Sequence, residues 1–221
     1  VFDPVPHADV VDVVTCFRLH VGHVATIAHD SILIPRPDTE TLIEAVLKDY
    51  KNLTKEINIL ELGVGSGCVT TTLLLEILNS HAVGVDVSEG ALAIAKQNIE
   101  FYDLSERCRL IRGNWFENIN EKYDLIISNP PYISEDEISI MSEETSRYEP
   151  KVALFAKEDG LENYKIIARD AKNFLNIDGR IYLEIGSSQN RAVEEIFTSL
   201  GYQLIARHND LSGHVRCLIF T

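Results

Sequence analysis

Basic residues are scarce in this chain, which has 20 Lys and Arg against 34 Asp and Glu among 221 residues, a formal net charge of −14. Proteins that bind DNA or RNA depend mostly on a basic surface. The composition therefore argues against direct nucleic-acid binding, although a local basic patch would be compatible with it. An acidic surface suits a basic protein partner, and it also serves simply to keep a protein in solution.

Cysteine is scarce too, and long hydrophobic runs are absent. The cysteines include no Cys-x-x-Cys pair, which predicts a reducing compartment and no metal site; they are Cys16, Cys68, Cys108 and Cys217. Charged residues interrupt the apolar stretch at residues 10–28, so we expect no membrane span, and no secretion signal or transit peptide is recognisable. We therefore expect a cytoplasmic protein of bacterial type, with an organellar matrix as the alternative.

Hydrophobic residues make up 45% of the chain, enough for one domain with a full core. Short apolar runs alternate with helical patterns, which predicts an α/β fold with a mainly parallel sheet. The predicted strands are Ile57–Leu62, Ala82–Val87, Arg109–Arg112, Tyr123–Ser128, Arg180–Ile185, Tyr202–Arg207 and Val215–Phe220. The predicted helices are Thr39–Tyr50, Cys68–Leu78, Glu89–Tyr102, Leu161–Leu175 and Gln189–Leu200. The last two strands suggest an antiparallel hairpin at the end of a seven-stranded, Rossmann-like sheet with helices on both faces.

A glycine-rich turn follows the first of these strands. Gly63-Val64-Gly65-Ser66-Gly67 separates Ile57–Leu62 from a predicted helix, which is the arrangement of nucleotide-binding folds. The spacing G-x-G-x-G differs from those of dinucleotide-binding and phosphate-binding loops. It favours a close approach to an uncharged ribose or an amino-acid group, although glycines at a tight turn are often only structural.

Two acidic residues flank this turn in the predicted sheet. Glu61 precedes the glycines, where a carboxylate can meet a cation. Asp86 ends the second strand, where an acid typically accepts hydrogen bonds from both ribose hydroxyls. The alternative role of Asp86 as a helix cap is better filled by Ser88.

An amide and an indole follow the third strand, at Asn114 and Trp115. The amide could bind an adenine edge, and the indole could cover a ring face. Ordinary core packing is an equally good interpretation of Trp115.

The most informative motif is Asn129-Pro130-Pro131-Tyr132, directly after the buried strand Tyr123–Ser128. The side-chain oxygen of Asn129 and the carbonyl of Pro130 could accept the two N–H bonds of a conjugated NH2 group, and Tyr132 offers an aromatic face. The alternative is that Pro-Pro merely ends the strand and Tyr132 packs in the core. Taken with the upstream features, the motif predicts S-adenosylmethionine as cofactor and a methyl acceptor with a planar NH2 group.

With these motifs the chain resembles the class I S-adenosylmethionine methyltransferases, and more closely the HemK/PrmC-type protein-glutamine N5-methyltransferases of peptide-chain release factors. The resemblance rests on Leu-Ile-Pro-Arg-Pro-Asp-Thr-Glu at 33–40, Ser-Asn-Pro-Pro-Tyr-Ile at 128–133, Tyr-Glu-Pro at 148–150, Asp-Gly-Leu at 159–161, Leu-Glu-Ile-Gly at 183–186 with Gln189, and Asp210-Leu211 with Gly213 and Arg216. The 33–40 and 148–150 blocks distinguish the glutamine enzymes from the amino-base methyltransferases.

The resemblance implies a set of site residues. Cofactor contacts are expected at Glu61, Gly63, Val64, Gly65, Ser66, Gly67, Asp86, Val87, Asn114, Trp115 and Asn129, with Pro37 and Thr39 at the mouth of the site. Substrate contacts are expected at Asn129, Pro130, Pro131, Tyr132 and Arg36, of which Asn129, Pro130 and Tyr132 are the expected catalytic residues. The family usually has Asp where this chain has Asn114.

The resemblance weakens toward the beginning of the chain. The family carries an N-terminal helical domain that helps to grip the release factor, whereas residues 1–31 here match poorly. We expect 1–31 to be a divergent segment, a remnant or part of a docking region, and 32–221 to be the methyltransferase domain.

The resulting functional hypothesis is methyl transfer to the side-chain amide nitrogen of the glutamine in the Gly-Gly-Gln loop of a release factor. One alternative is N-methylation of an exocyclic amino group of adenine or guanine in RNA or DNA. A second alternative is a non-catalytic module that binds S-adenosylmethionine.

Overall fold

The computed structural model describes residues 13–19, 22–28, 38–132 and 160–221, the first two ranges as backbone only. Its strands are β1 Val13–Leu19, β2 Gly22–Ala28, β3 Ile57–Leu62, β4 Ser80–Asp86, β5 Cys108–Arg112, β6 Tyr123–Ser128, β7 Leu175–Glu184, β8 Leu204–Asn209 and β9 Val215–Phe220. Its α-helices are α1 Asp38–Tyr50, α2 Cys68–Glu76, α3 Glu89–Phe101, α4 Glu162–Asp170 and α5 Asn190–Ser199, and Ser105–Arg107 and Ala171–Phe174 are 3₁₀ turns.

Seven strands form one sheet in the order β5-β4-β3-β6-β7-β9-β8. The pairs among β5, β4, β3, β6 and β7 are parallel, and β9 runs antiparallel to both of its neighbours, β7 and β8. This confirms the predicted fold, a mostly parallel sheet that ends in an antiparallel hairpin. From β3 the chain adds β4 and β5 toward one edge of the sheet, and from β6 it adds the later strands toward the other edge. The direction of the connections therefore reverses between β3 and β6, the two strands that lead into the predicted motifs.

Two apolar layers hold the sheet between helices. On one face, the buried side chains of α1, α2 and α3 pack against the sheet, among them Leu42, Leu73 and Ile99. On the other face, α4 and α5 do the same with Tyr164 and Phe197. Strands covered on both faces are rich in apolar residues, and this explains why β3 and β6 consist mostly of them.

The predicted strands 57–62, 123–128 and 215–220 agree with β3, β6 and β9. The helix predicted at Leu161–Leu175 is too long, because α4 ends at Asp170 and a 3₁₀ turn leads directly into β7. β7 also begins five residues before the predicted Arg180. Its first half, Leu-Asn-Ile-Asp-Gly, alternates apolar and polar residues and is irregular, with Asp178 at φ 63°, so it lacks the run of consecutive apolar residues that marks the second half of the strand.

β1 and β2 form a separate antiparallel hairpin in which Val13 pairs with Ala28. β2 lies alongside α3. The hairpin falls within the segment predicted to be divergent, and the boundary at residue 32 stays a prediction. Among the described residues, no helix has the length and apolarity needed to cross a membrane.

Gly84 in the middle of β4 allows the glycine turn to pack on the sheet. A methyl group at this position would lie 2.8 Å from Cγ2 of Val64, inside the turn, and 3.0 Å from Leu110. We expect Gly84→Ala to lower the free energy of unfolding by about 1–3 kcal/mol, because the added methyl overpacks this contact. Gly90→Ala is the matched control: its methyl would meet only Ser88 Oγ at 3.7 Å, and Ala favours a helix by up to about 1 kcal/mol over Gly. Urea denaturation of both variants tests this, and an unchanged Gly84→Ala protein would contradict it.

Candidate active site

The glycine turn and the Asn-Pro-Pro-Tyr motif start from neighbouring strand ends. Leu62, the last residue of β3, pairs with Ser128, the last residue of β6. The Ser128 hydroxyl donates a hydrogen bond of 2.8 Å to the Leu62 carbonyl, which joins the two ends. The two motifs predicted from the sequence therefore meet at the carboxyl edge of the sheet, where α/β folds bind ligands.

The three glycines of the turn all have left-handed backbones, with φ of 74°, 54° and 74°. A Cβ atom on Gly63 or Gly65 would meet no atom within 4 Å, whereas one on Gly67 would lie 3.0 Å from the Cβ of Ala95 in α3. Gly67 is therefore required for packing. Gly63 and Gly65 face open space, and their backbone is accessible to a ligand.

Buried polar contacts fix the shape of the turn. The Ser66 carbonyl accepts a 2.8 Å hydrogen bond from Asn98 of α3, and both residues are buried. The side chain of Val64 is also buried, against Gly84. The predicted cofactor contacts of Val64 and Ser66 can therefore be made only through the backbone. Asn98 was not predicted, although a polar residue on the inner face of an amphipathic helix was a usable signal.

Asp86 connects the turn to the end of β4. One carboxylate oxygen accepts a hydrogen bond from the Gly65 amide and the other from the Ser88 amide, both at 2.9 Å. Ser88 caps α3 by accepting from the Ala91 amide at 3.2 Å, which confirms that Ser88 and not Asp86 fills that role. Each carboxylate oxygen offers about two acceptor sites, so Asp86 retains capacity for ligand hydroxyls.

Glu61 has a structural contact that the sequence did not predict. It is 4% exposed and accepts hydrogen bonds from the amide and the hydroxyl of Thr70, in the first turn of α2. The N-cap of this helix, Gly67, has no side chain to cap it, so the Glu61 carboxylate supplies the missing acceptor. Burial raises the pKa of Glu61 to about 8, although the hydrogen bonds from Thr70 act in the opposite direction.

The segment after β5 lies beside Asp86, since the Gly113 amide donates to the Asp86 carbonyl at 3.1 Å. Asn114 is exposed, and Trp115 is half-buried with an unusual φ of 53°. Trp115 packs on the apolar layer of α4 and α5, so core packing accounts for part of its surface only. Val87, directly after Asp86, exposes 46% of its surface.

Two carbonyls of the Asn-Pro-Pro-Tyr segment are bonded within the protein, whereas the Pro130 carbonyl and Asn129 Oδ1 are not bonded to any described residue. The carbonyl of Pro131 accepts from Asn163 at 2.8 Å, and that of Tyr132 accepts from Gln189 at 2.9 Å. Among residues 38–132 and 160–221, none donates to the Pro130 carbonyl. The Oδ1 atom of Asn129 is buried and also has no partner within the described part of the chain. A buried acceptor without a partner is costly unless a ligand supplies the donor.

Two glycines let other segments approach Tyr132 closely. A Cβ atom on Gly160, at φ 81°, would lie 2.1 Å from the Tyr132 carbonyl. One on Gly186 would lie 2.7 Å from Oε1 of Gln189, which accepts a hydrogen bond from the Gly186 amide at 3.1 Å. These positions lie in the blocks that carry the family resemblance, but the sequence did not identify them as supports of the motif.

Some predicted residues cannot be placed. Arg36, Pro37 and the Tyr-Glu-Pro block at 148–150 lie outside the described residues. Thr39 is buried and its hydroxyl lies 3.5 Å from Nδ2 of Asn129, a contact that the sequence did not predict. Within the described residues no group of three or more His, Cys, Asp or Glu is arranged to hold a metal ion, and the expected absence of a metal stays a prediction.

Several known proteins are similar to this chain in sequence or in fold. A family model for the methyltransferase small domain matches residues 37–145. A release factor glutamine methyltransferase of Cereibacter sphaeroides is 39% identical over 199 residues, covering 90% of this chain and 69% of the relative. The solved structure of a release-factor-specific protein-(glutamine-N5) methyltransferase from Alicyclobacillus acidocaldarius superimposes with a TM-score of 0.51 at 26% identity, over 85% of this chain and 93% of that one.

This chain belongs to the release factor glutamine methyltransferase family. The predicted relationship is thereby confirmed, and the family and fold imply S-adenosyl-L-methionine as the cofactor. A bifunctional methyltransferase of Rickettsia conorii is also similar, 41% identical over 219 residues that cover 88% of this chain. The chain spans only 42% of that relative's length.

Glu61→Gln tests the state of the buried carboxyl group. Because the native pKa of about 8 exceeds the ordinary value of 4.5, Glu61 supports the ligand-free fold most fully below pH 4.5, and this contribution is lost as the pH rises through 8. Gln still accepts hydrogen bonds from Thr70 but cannot ionise. We expect the difference in unfolding free energy between wild type and variant to fall from pH 6 to pH 9, by at most about 1.4 kcal/mol per pH unit.

Urea denaturation at the two pH values measures this difference. Glu100→Gln, which removes an exposed carboxylate of α3, is the matched control. If Glu61→Gln behaved like this control, Glu61 would be ionised in the native protein at neutral pH.

Proposed function

We propose that this protein methylates the side-chain amide nitrogen of the glutamine in the Gly-Gly-Gln loop of a peptide-chain release factor. The observation that carries the proposal is the pair of acceptors at Asn129 Oδ1 and the Pro130 carbonyl, which together match the two N–H bonds of a primary amide. Support also comes from the relatives named release factor glutamine methyltransferase, of which three are 39% identical to this chain.

The residues around the glycine turn fit S-adenosylmethionine. Gly63 and Gly65 leave open space against the backbone, and Asp86 stands beside them with acceptor capacity for ribose hydroxyls. Val87 and Trp115 would supply apolar surface for the adenine ring, and Asn114 would bind its edge. When bound, the cofactor supplies a methyl group on a positively charged sulfur, which is the electrophile of the reaction.

The protein's own contribution would be to orient a poor nucleophile. The lone pair of an amide nitrogen is conjugated with its carbonyl, so the nitrogen carries little negative charge. Two acceptors that bind both N–H bonds hold the nitrogen in place and favour the positive charge that develops on it during bond formation. Asn163 and Gln189 hold the adjacent carbonyls, so the segment is preorganised before the substrate arrives. The proton would leave to water after the new bond forms.

An amino group of adenine or guanine would fit the same pair of acceptors. The net charge of −14 and the family of the relatives both favour the protein substrate. A non-catalytic binding module has no need for a buried acceptor without a partner, so the geometry of Asn129 argues for catalysis. A release factor substrate also implies a location with the translation apparatus, in the cytoplasm of a bacterium.

Asn129→Ala tests the proposal directly. Because the variant lacks one of the two acceptors, we expect kcat to fall about 100-fold or more, while the Kd for S-adenosylmethionine changes little. The measurement is transfer of labelled methyl groups to a purified release factor, with calorimetric titration of the cofactor alongside it. Asn52→Ala, an exposed asparagine after α1, is the matched control.

Two further arms identify the acceptor. A release factor whose loop glutamine is changed to alanine should take up no label, and neither should RNA or DNA oligonucleotides. Label on the glutamine-free factor, or near-normal turnover by Asn129→Ala, would overturn the proposal.

A further inference from the structure

We propose that Thr39 is a positioning residue that orients the side-chain amide of Asn129, and that an ion-pair network centred on Arg216 holds the helix end that carries Thr39. The proposal rests on the proposed function, because it concerns the same acceptor. It assigns to Thr39 a role other than the cofactor contact expected from the sequence.

An asparagine amide can present either its oxygen or its NH2 group to a substrate. Only the oxygen can accept an N–H bond from the substrate amide, and the opposite orientation would place donors against donors. The Thr39 hydroxyl lies 3.5 Å from Nδ2 of Asn129, and Oδ1 is left without a partner among the described residues. Thr39 therefore provides an acceptor for the NH2 group in the orientation that leaves the oxygen for the substrate.

The distance of 3.5 Å is at the long end for a hydrogen bond, so small movements of α1 decide whether the contact forms. Thr39 is 3% exposed and is the second residue of α1. Its position therefore depends on how the first turn of that helix is held.

Arg216 of β9 holds this turn. Its guanidinium lies 3.2 Å from the carboxylate of Asp38, the first residue of α1, and 3.0 Å from that of Asp210. The side chains of Arg216 and Asp210 are 16% and 4% exposed, so solvent screens their interaction less than that of a surface ion pair. Asp210 also accepts two backbone hydrogen bonds, from Ser212 and His214, which fix it in turn.

The same guanidinium reaches the other side of the motif. It donates to the Ile185 carbonyl at 3.4 Å, immediately before Gly186, whose partner Gln189 holds the Tyr132 carbonyl. Arg216 thus connects the helix that carries Thr39 with the segment that supports Tyr132. A lysine in its place would lack the planar set of donors needed for all three contacts.

Thr39→Val and Thr39→Ser form the first test. Val keeps the shape but removes the acceptor for Nδ2, whereas Ser keeps the hydroxyl. We expect Thr39→Val to lower kcat about tenfold or more, with the Kd for S-adenosylmethionine within about twofold of wild type, and Thr39→Ser to restore most of the loss. Thr72→Val is the matched control, because the Thr72 hydroxyl is buried and has no partner in the described part of the protein.

A double-mutant cycle tests the network. Arg216→Gln should lower kcat on its own, and by a smaller factor in Thr39→Val than in wild type, because only its effect through Ile185 and Tyr132 remains once the Thr39 contact is gone. Combined with Thr72→Val, the effect of Arg216→Gln should be fully additive. If Arg216→Gln does not fold, Asp38→Asn replaces it in the cycle.

The outcomes separate this inference from the proposed function. Three outcomes would each overturn the positioning role. The loss of activity in Thr39→Val could be explained by weaker binding of the cofactor, Thr39→Ser could lose as much kcat as Thr39→Val, or the effects in the double-mutant cycle could be fully additive. If the wild-type protein labels no release factor, the proposed function fails instead, and the side-chain ¹⁵N resonances of Asn129 decide the inference. One N–H proton protected from solvent exchange in wild type and Thr39→Ser but not in Thr39→Val supports it, and equal protection in all three overturns it.

Discussion

The parallel pairing of β3 with β6 is the constraint on which the site depends. These two strands lie side by side at the centre of the sheet, and their last residues, Leu62 and Ser128, are in register and joined by a hydrogen bond. A shift of one residue would turn every side chain of one strand to the opposite face, and the buried apolar layers forbid this. The register therefore fixes where the glycine turn stands relative to the Asn-Pro-Pro-Tyr motif before either motif makes a contact of its own.

Local hydrogen bonds then fix the two motifs in different ways. The glycine turn and the helix that follows it are held by carboxylates, since Asp86 accepts from the Gly65 amide and Glu61 accepts from the Thr70 amide in the first turn of α2. The Asn-Pro-Pro-Tyr segment is held through the carbonyls of Pro131 and Tyr132, while the Pro130 carbonyl and the side-chain oxygen of Asn129 have no partner among the described residues. Two threonine hydroxyls in α2 are also buried without partners among the described residues, but Asn129 alone of these three lies at the strand ends.

The parts of the structure that the sequence could predict are those that depend on local pattern. β3 and β6 are covered on both faces, so their apolar runs defined their limits, and the glycines and Ser88 followed from turn and cap chemistry. The beginning of β7 escaped prediction because polar residues interrupt its apolar ones and both Ile177 and Asp178 are exposed. The contacts of Thr39 with Asn129 and of Gln189 with Tyr132 join residues 90 and 57 positions apart, and no local pattern encodes them.

The geometry of the acceptors explains orientation better than it explains choice of substrate. Two oxygen atoms that bind an NH2 group cannot distinguish a glutamine amide from an amino base, because both present two coplanar N–H bonds. Discrimination must therefore come from surfaces outside this pair, by contacts that favour one partner or by charges that repel the other. The net charge of −14 belongs to the second kind of contribution, repulsion. It opposes the approach of a nucleic acid, whose phosphates are also negative, before the nucleic acid reaches the site. The Asn-Pro-Pro-Tyr geometry is thus compatible with both a glutamine amide and an amino base, and the surfaces around it would determine which substrate binds.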